Sequence, residues 1–143
     1  MPPESEIVEY GPPITLELAK KVMEAAEAEA AANSWPMAIA IVDSGGHLVI
    51  LHKMDQTQLA SIDIARSKAE TAVNYKAPTK LWQEILASGG EELRLLTMQG
   101  VIALEGGIPL VQEGKIIGAI GVSGMLPIYD SQVAVAGCNA LTD

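Results

Sequence analysis

The chain has 143 residues, of which 49% are hydrophobic and 19% charged, with one cysteine and a formal net charge of -9. That length holds one domain with a sizeable core and excludes two ordinary ones. The acidic balance offers no basic stripe, which argues against nucleic acid and anionic membranes, and a lone cysteine excludes an intrachain disulfide.

In chain order, residues 1–13 are acidic and proline-rich and read as an N-terminal arm before a single domain spanning residues 14–143. The arm has no apolar run, so it resembles neither a signal nor a transit peptide, and the expected location is cytoplasmic. Thr15 is placed to cap a helix over Leu16–Ala32, where Leu18, Val22, Ala26 and Ala30 recur at helical spacing. Residues 37–42 form a continuous apolar run, expected as a buried strand, followed by the turn signal Asp43-Ser44-Gly45-Gly46 and a second strand over 47–54. A helix over 59–74 follows, with Ile62, Ala65, Ala69, Ala72 and Val73 on its apolar face. Pro78 opens a short helix over Thr79–Ala87, and Ser88-Gly89-Gly90 breaks it. Residues 91–97 read as a helical turn or a loop, leading to a brief strand at 101–104. Strands at 106–111 and Lys115–Ser123 flank a tight turn at Glu113-Gly114, and a last helix runs from Pro127 to about Ala140. Two hairpins and helices with few charges predict an α/β (α+β) domain, a five-stranded antiparallel sheet packed with helices in a profilin-like arrangement. An alanine-rich, weakly charged surface predicts a homo-oligomer.

Glycines crowd the second half: Gly106, Gly107, Gly114, Gly118, Gly121 and Gly124. They match neither a dinucleotide fingerprint nor a phosphate loop, because no GxGxxG follows a strand and no Gly-Lys-Ser/Thr occurs. Two readings stay open: sheet geometry, or a corner at 121–124 whose amides face a polar or anionic group. Lys68 lies beside the apolar stripe of its helix, either snorkelling or presenting a positive charge over a pocket. Asp55, just past a strand end, and Asp130, in the first turn of the last helix, are candidate proton carriers or simple helix-start residues. His47 and His52 are five apart and cannot form a paired site on one strand. No HxH, HExxH or CxxC spacing occurs, so no metal centre is expected, although either histidine could be an axial haem ligand. Cys138 sits in an apolar stretch and reads as a structural thiol.

Three stretches together resemble the GlcG/HbpS-like family, a haem-degrading or haem-binding type of domain related to the PduO C-terminal domain. They are Ala40-Ile41-Val42-Asp43-Ser44-Gly45-Gly46-His47 with Lys53-Met54-Asp55, then Ile64-Ala65-Arg66-Ser67-Lys68-Ala69-Glu70-Thr71-Ala72, then Gly106-Gly107-Ile108-Pro109-Leu110 with Gly118 to Gly124 and Asp130. The resemblance implies a five-stranded scaffold, homo-oligomers, and haem or another tetrapyrrole as ligand. It implies a pocket made by Met54, Asp55, Lys68, Thr71, Gly106, Gly107, Gly121, Ser123 and Gly124. Lys53 departs from the arginine common before Met-Asp, which replaces a planar fork by a point charge. The function expected is small-molecule binding, with the cofactor otherwise unknown. The alternative is a metal-independent isomerase, tautomerase or lyase acting on a small organic acid, with Lys68 stabilising negative charge and Asp55 or Asp130 moving a proton.

Overall fold

The computed structural model describes residues 7–142; the first six residues of the expected arm lie outside them. In order, the elements are β1 (Glu9–Tyr10), α1 (Leu16–Ala32), β2 (Ala38–Asp43), β3 (Leu48–Lys53), α2 (Ala60–Tyr75), α3 (Thr79–Ala87), a 3-10 segment (Gly90–Thr97), β4 (Gly107–Gln112), β5 (Lys115–Ser123), α4 (Pro127–Asn139) and a closing 3-10 turn (Ala140–Thr142). The Thr15 hydroxyl accepts from Leu18 N at 3.1 Å and starts α1 as its residue type dictates. In the β2–β3 turn, Asp43 Oδ1 accepts from Gly45 N at 2.9 Å and His47 N at 3.1 Å. That turn holds His47 outside β3, which begins one residue later.

β5 is the central strand. It pairs antiparallel with β4 on one side and β2 on the other, β2 pairs antiparallel with β3, and β1 lies parallel to the first residues of β5. The sheet therefore has five strands and is antiparallel except at β1. The fifth strand is not the one expected. Residues 101–104 are irregular, and side chains from the helices hold the backbone within and on either side of them. Thr71 Oγ1 donates to Gly100 O at 3.2 Å and accepts from Ile102 N at 3.1 Å, and Gln83 Oε1 accepts from Glu105 N at 2.9 Å. Glu9–Tyr10 supplies the fifth strand instead, tied down where the Tyr10 hydroxyl donates to Val73 O at 2.7 Å. A two-residue strand has too little pattern to be seen as alternation.

Residue size alternates with period two along the central strands and sorts the two faces. Ile39, Ile41, Ile120 and Val122 pack with Val22, Met23 and Ala26 of α1 and Val133 and Ala134 of α4. Ala38, Ala40 and Ala119 turn the other way, onto Ala65, Ala69 and Ala72 of α2. The architecture is three layers, with α2 against a face of small residues and α1 and α4 against a face of branched ones. The small face lets α2 sit almost in contact with the strand backbones. A Cβ at Gly121 would collide with the carbonyl oxygen of Ala65, and one at Gly107 with that of Lys68.

Gly121→Ala therefore forces α2 off the sheet. Overpacking against backbone costs about 3 kcal/mol. The expected result is a lower urea midpoint with an unchanged denaturant slope; a midpoint equal to the parent's would refute the close approach.

Candidate functional site

Most of the residues singled out in the sequence fall into two groups in space. The first is buried where α2, β4, β5 and α4 meet. Lys68 is 1% exposed and Asp130 2%. The Lys68 ammonium donates to Asp130 Oδ2 at 2.8 Å and to Val122 O at 2.9 Å. The other carboxylate oxygen of Asp130 accepts from Met125 N at 2.9 Å. Gly106 lies against the pair: a Cβ there would stand 2.8 Å from Lys68 Nζ and 3.1 Å from Asp130 Cβ. Gly107 N donates to Thr79 Oγ1 at 2.8 Å, the Ser123 hydroxyl donates to Ser61 Oγ at 3.2 Å, and Gly124 O accepts from Gln58 Nε2 at 3.1 Å. Thr71, fully buried, holds the loop at residues 100–102. The anionic group that meets an amide beside the 121–124 corner is thus Asp130's own carboxylate.

Burial holds the Lys68 ammonium below its ordinary pKa even though the nearby Asp130 and Glu105 charges favour the protonated form. Burial likewise raises the Asp130 carboxyl, against the attraction of Lys68 and two backbone hydrogen bonds. Both directions say that desolvation outweighs the pairing, the usual balance for an ion pair taken out of water.

The second group lines a groove between α1 and β3. It has a volume of about 550 Å³ and an apolar floor of Met23, Ala28, Ala31, Ile50 and Met54, with Lys20, Glu24, Glu27 and His52 as its polar lining. Ala31 and Met54 also line an adjoining hollow of about 390 Å³, which reaches Trp35 and Asp55. Ile50 and His52 alternate along β3 onto the α1 side, and His52 stands opposite Ile39 in the β2 register. The His52 ring Nδ1 contacts Glu27 Oε1 across the groove. Trp35 stacks on Tyr129 at 4.9 Å between ring centroids, near the far end.

Met54, Asp55 and His52 are therefore brought together, while Lys68, Thr71, Asp130 and the glycines form the separate buried group. His47 joins neither: its side chain is 84% exposed, and its ring stands 3.6 Å from Asp43. Lys20, Met23, Glu24 and Glu27 were missed in the sequence. Their spacing of three and four residues marks one face of α1, but beside the more apolar stripe of Val22, Ala26 and Ala30 that face reads as solvated surface. Among the described residues, no cluster of three or more His, Cys, Asp or Glu is placed to hold a metal ion, and no helix is long and apolar enough to cross a membrane. The Cys138 thiol is pushed up to about 11 by burial and is chemically quiet at neutral pH.

Residues 14–139 match the family model described as haem degrading protein HbpS-like. The chain is 37% identical to protein GlcG of Escherichia coli strain K12 over 110 residues, covering 77% of this chain and 81% of that one. It is similar to the crystal structure of a double mutant of HbpS from Streptomyces reticuli, with a TM-score of 0.83, 31% identity and coverage of 99% of this chain and 94% of that one. It is also similar to the crystal structure of a PduOC–haem complex, with a TM-score of 0.81, 25% identity and coverage of 90% and 94%.

Breaking the buried pair from one side strands a charge. Lys68→Met is expected to cost about 3–5 kcal/mol, and the paired change Lys68→Met with Asp130→Asn to recover at least about 2 kcal/mol of that. The pH dependence has a definite sign. Asp130's raised folded pKa favours folding below the unfolded value of 3.8, an advantage lost as pH rises through the folded value. Lys68's lowered folded pKa favours folding only as pH climbs toward 10.5. The pair costs most between those windows, so the double variant's stability relative to the parent is greatest near neutral pH and declines toward either extreme. Chemical denaturation across pH measures this, and a pH-independent difference would contradict it.

Proposed function

The chain belongs to the HbpS-like family, and from that premise we propose that it is a small-molecule-binding protein whose α1–β3 groove receives haem or another tetrapyrrole. The observation that carries this reading is His52, an imidazole standing on a floor of methionine and aliphatic side chains in a groove of about 550 Å³. Ligand pockets have this size and this composition, mostly apolar with a few placed polar groups. Histidine and methionine are the neutral side chains that ligate haem iron.

The residues present fit the group. His52 would hold the iron, Met23, Ile50 and Met54 would lie against the ring, and Lys20 is the cation in the groove for a propionate. Glu24 and Glu27 would repel propionates, so their charge limits which edge of a ring enters. When bound, haem supplies a redox-active iron. The chain's own part is to ligate, to shield one face from water, and to hold the imidazole's protons in place. A relative of similar fold forming a haem complex supports the ligand class.

A cytoplasmic location and a homo-oligomeric state belong to the same proposal, the second supported by exposed apolar side chains such as Leu59, Leu126 and Ile128. Nothing in the geometry favours the alternative of organic-acid chemistry at Lys68: its ammonium is sealed from solvent and already held by Asp130 and Val122 O.

Titration with haemin should give a saturable change in the Soret band. His52→Ala is expected to remove the histidine-ligated spectrum and weaken binding at least about tenfold, that is, by about 1.4 kcal/mol. His47→Ala should bind as the parent does. An absent or non-saturable response, or one unaltered by His52→Ala, would overturn the assignment.

A further inference from the structure

His52 is held by a partner on another element, and that partner has a chemical consequence. Glu27 projects from α1 across the groove, and its Oε1 contacts Nδ1 of His52 on β3. An ionised carboxylate can only accept, so Nδ1 must be the protonated nitrogen. A neutral imidazole then carries its lone pair on Nε2, which has no protein partner among the described residues. We propose that Glu27 is a positioning residue that fixes His52 as the Nδ1–H tautomer, presents Nε2 as the donor atom to the ligand's metal, and biases the groove toward the more highly charged, ferric form of a bound haem.

The charges around the groove point the same way. Lys20, Glu24 and Glu27 face His52 from α1, one cation against two carboxylates. The other acid nearby on the helix, Glu29, is engaged elsewhere, accepting from Asn33 and from Gln132 Nε2 at 2.7 Å. Glu27 is thus the carboxylate that reaches the imidazole. A carboxylate hydrogen-bonded to the distal nitrogen of a ligating histidine makes the ligating nitrogen a stronger donor, and a stronger donor with added negative charge stabilises iron(III) over iron(II). The helix and strand supply the geometry: Lys20, Glu24 and Glu27 share a helix face, and Ile50 and His52 share a strand face, so the pair forms wherever α1 packs over β3.

The ligand-binding half of this inference rests on the haem reading, whereas the tautomer does not, and the experiment separates them. In uniformly 15N-labelled protein without ligand, at a pH where the imidazole is neutral, long-range 1H–15N correlation should show His52 protonated at Nδ1 and bare at Nε2. Glu27→Gln, whose amide can donate as well as accept, should mix the tautomers. With haemin bound, Glu27→Gln should lower the ferric-to-ferrous affinity ratio about tenfold, a shift of about 59 mV to more positive potential for one electron. A parent His52 whose neutral ring is protonated at Nε2, or a Glu27→Gln protein with the parent's tautomer and potential, overturns the role of Glu27 even if haemin binds through His52. Failure of the parent to bind haemin overturns the ligand reading and the ferric bias together, and the tautomer measurement then decides the positioning of His52 by itself.

Discussion

Lys68 leaves α2 on one face of the sheet and ends on Asp130 of α4, which packs on the other. This connection constrains much of the molecule. The end of the lysine side chain needs room beside the sheet, and Gly106, just before β4, leaves it by having no Cβ, while Gly107 admits the Lys68 backbone carbonyl. The ammonium also needs acceptors, which come from Asp130 and the carbonyl of Val122 near the end of β5. Remove any one of these and a charge is left in a medium that does not tolerate it. The pair is expensive through desolvation, and it ties α4 directly to α2.

The same demand for close approach explains the asymmetry of the two faces. On the α2 side, alanines and glycines let helix and strand backbones come together. On the α1 and α4 side, isoleucines and valines hold the helices farther off and fill the space between. α1 packs chiefly along α4 and covers β3 only in part, so the branched face is left incomplete at the sheet edge. The groove is that uncovered strip. Its floor is core-like, with Met23 1% exposed, while its rim carries the charges that α1 otherwise shows to solvent.

Structure and proposed function therefore occupy different parts of the fold. The buried charges, conspicuous by chemistry, lie where no small molecule can reach them in this conformation. The groove, built from a helix face of ordinary surface composition, has the volume, the apolar floor and the imidazole. Structural ion pairs perturb pKa values as reactive centres do, and accessibility separates the two here.

Most elements were legible in the sequence because local signals suffice for them. Thr15 caps α1, Pro78 opens α3, the Glu113-Gly114 turn closes a hairpin, and the apolar runs mark β2 and β5, all set by backbone preferences within a few residues. The glycine-rich second half was visible too, but whether it served a ligand or the packing was not, since that depends on Ala65 and Lys68, far away in the chain, pressing their carbonyls against Gly121 and Gly107. Residues 101–104 look like a strand until Thr71 claims the amide of Ile102 and Gln83 that of Glu105 just beyond. Lys68 reads equally as snorkelling or as pocket-facing until Asp130 is brought to it. His47 and His52 are indistinguishable as letters; the turn at Asp43 sends one to solvent and the strand register sends the other under Glu27. Local chemistry sets what each segment becomes. Which groups end up buried together, and which stay open to a ligand, is decided only when the layers close, because desolvation and contact belong to pairs of segments and not to either one alone.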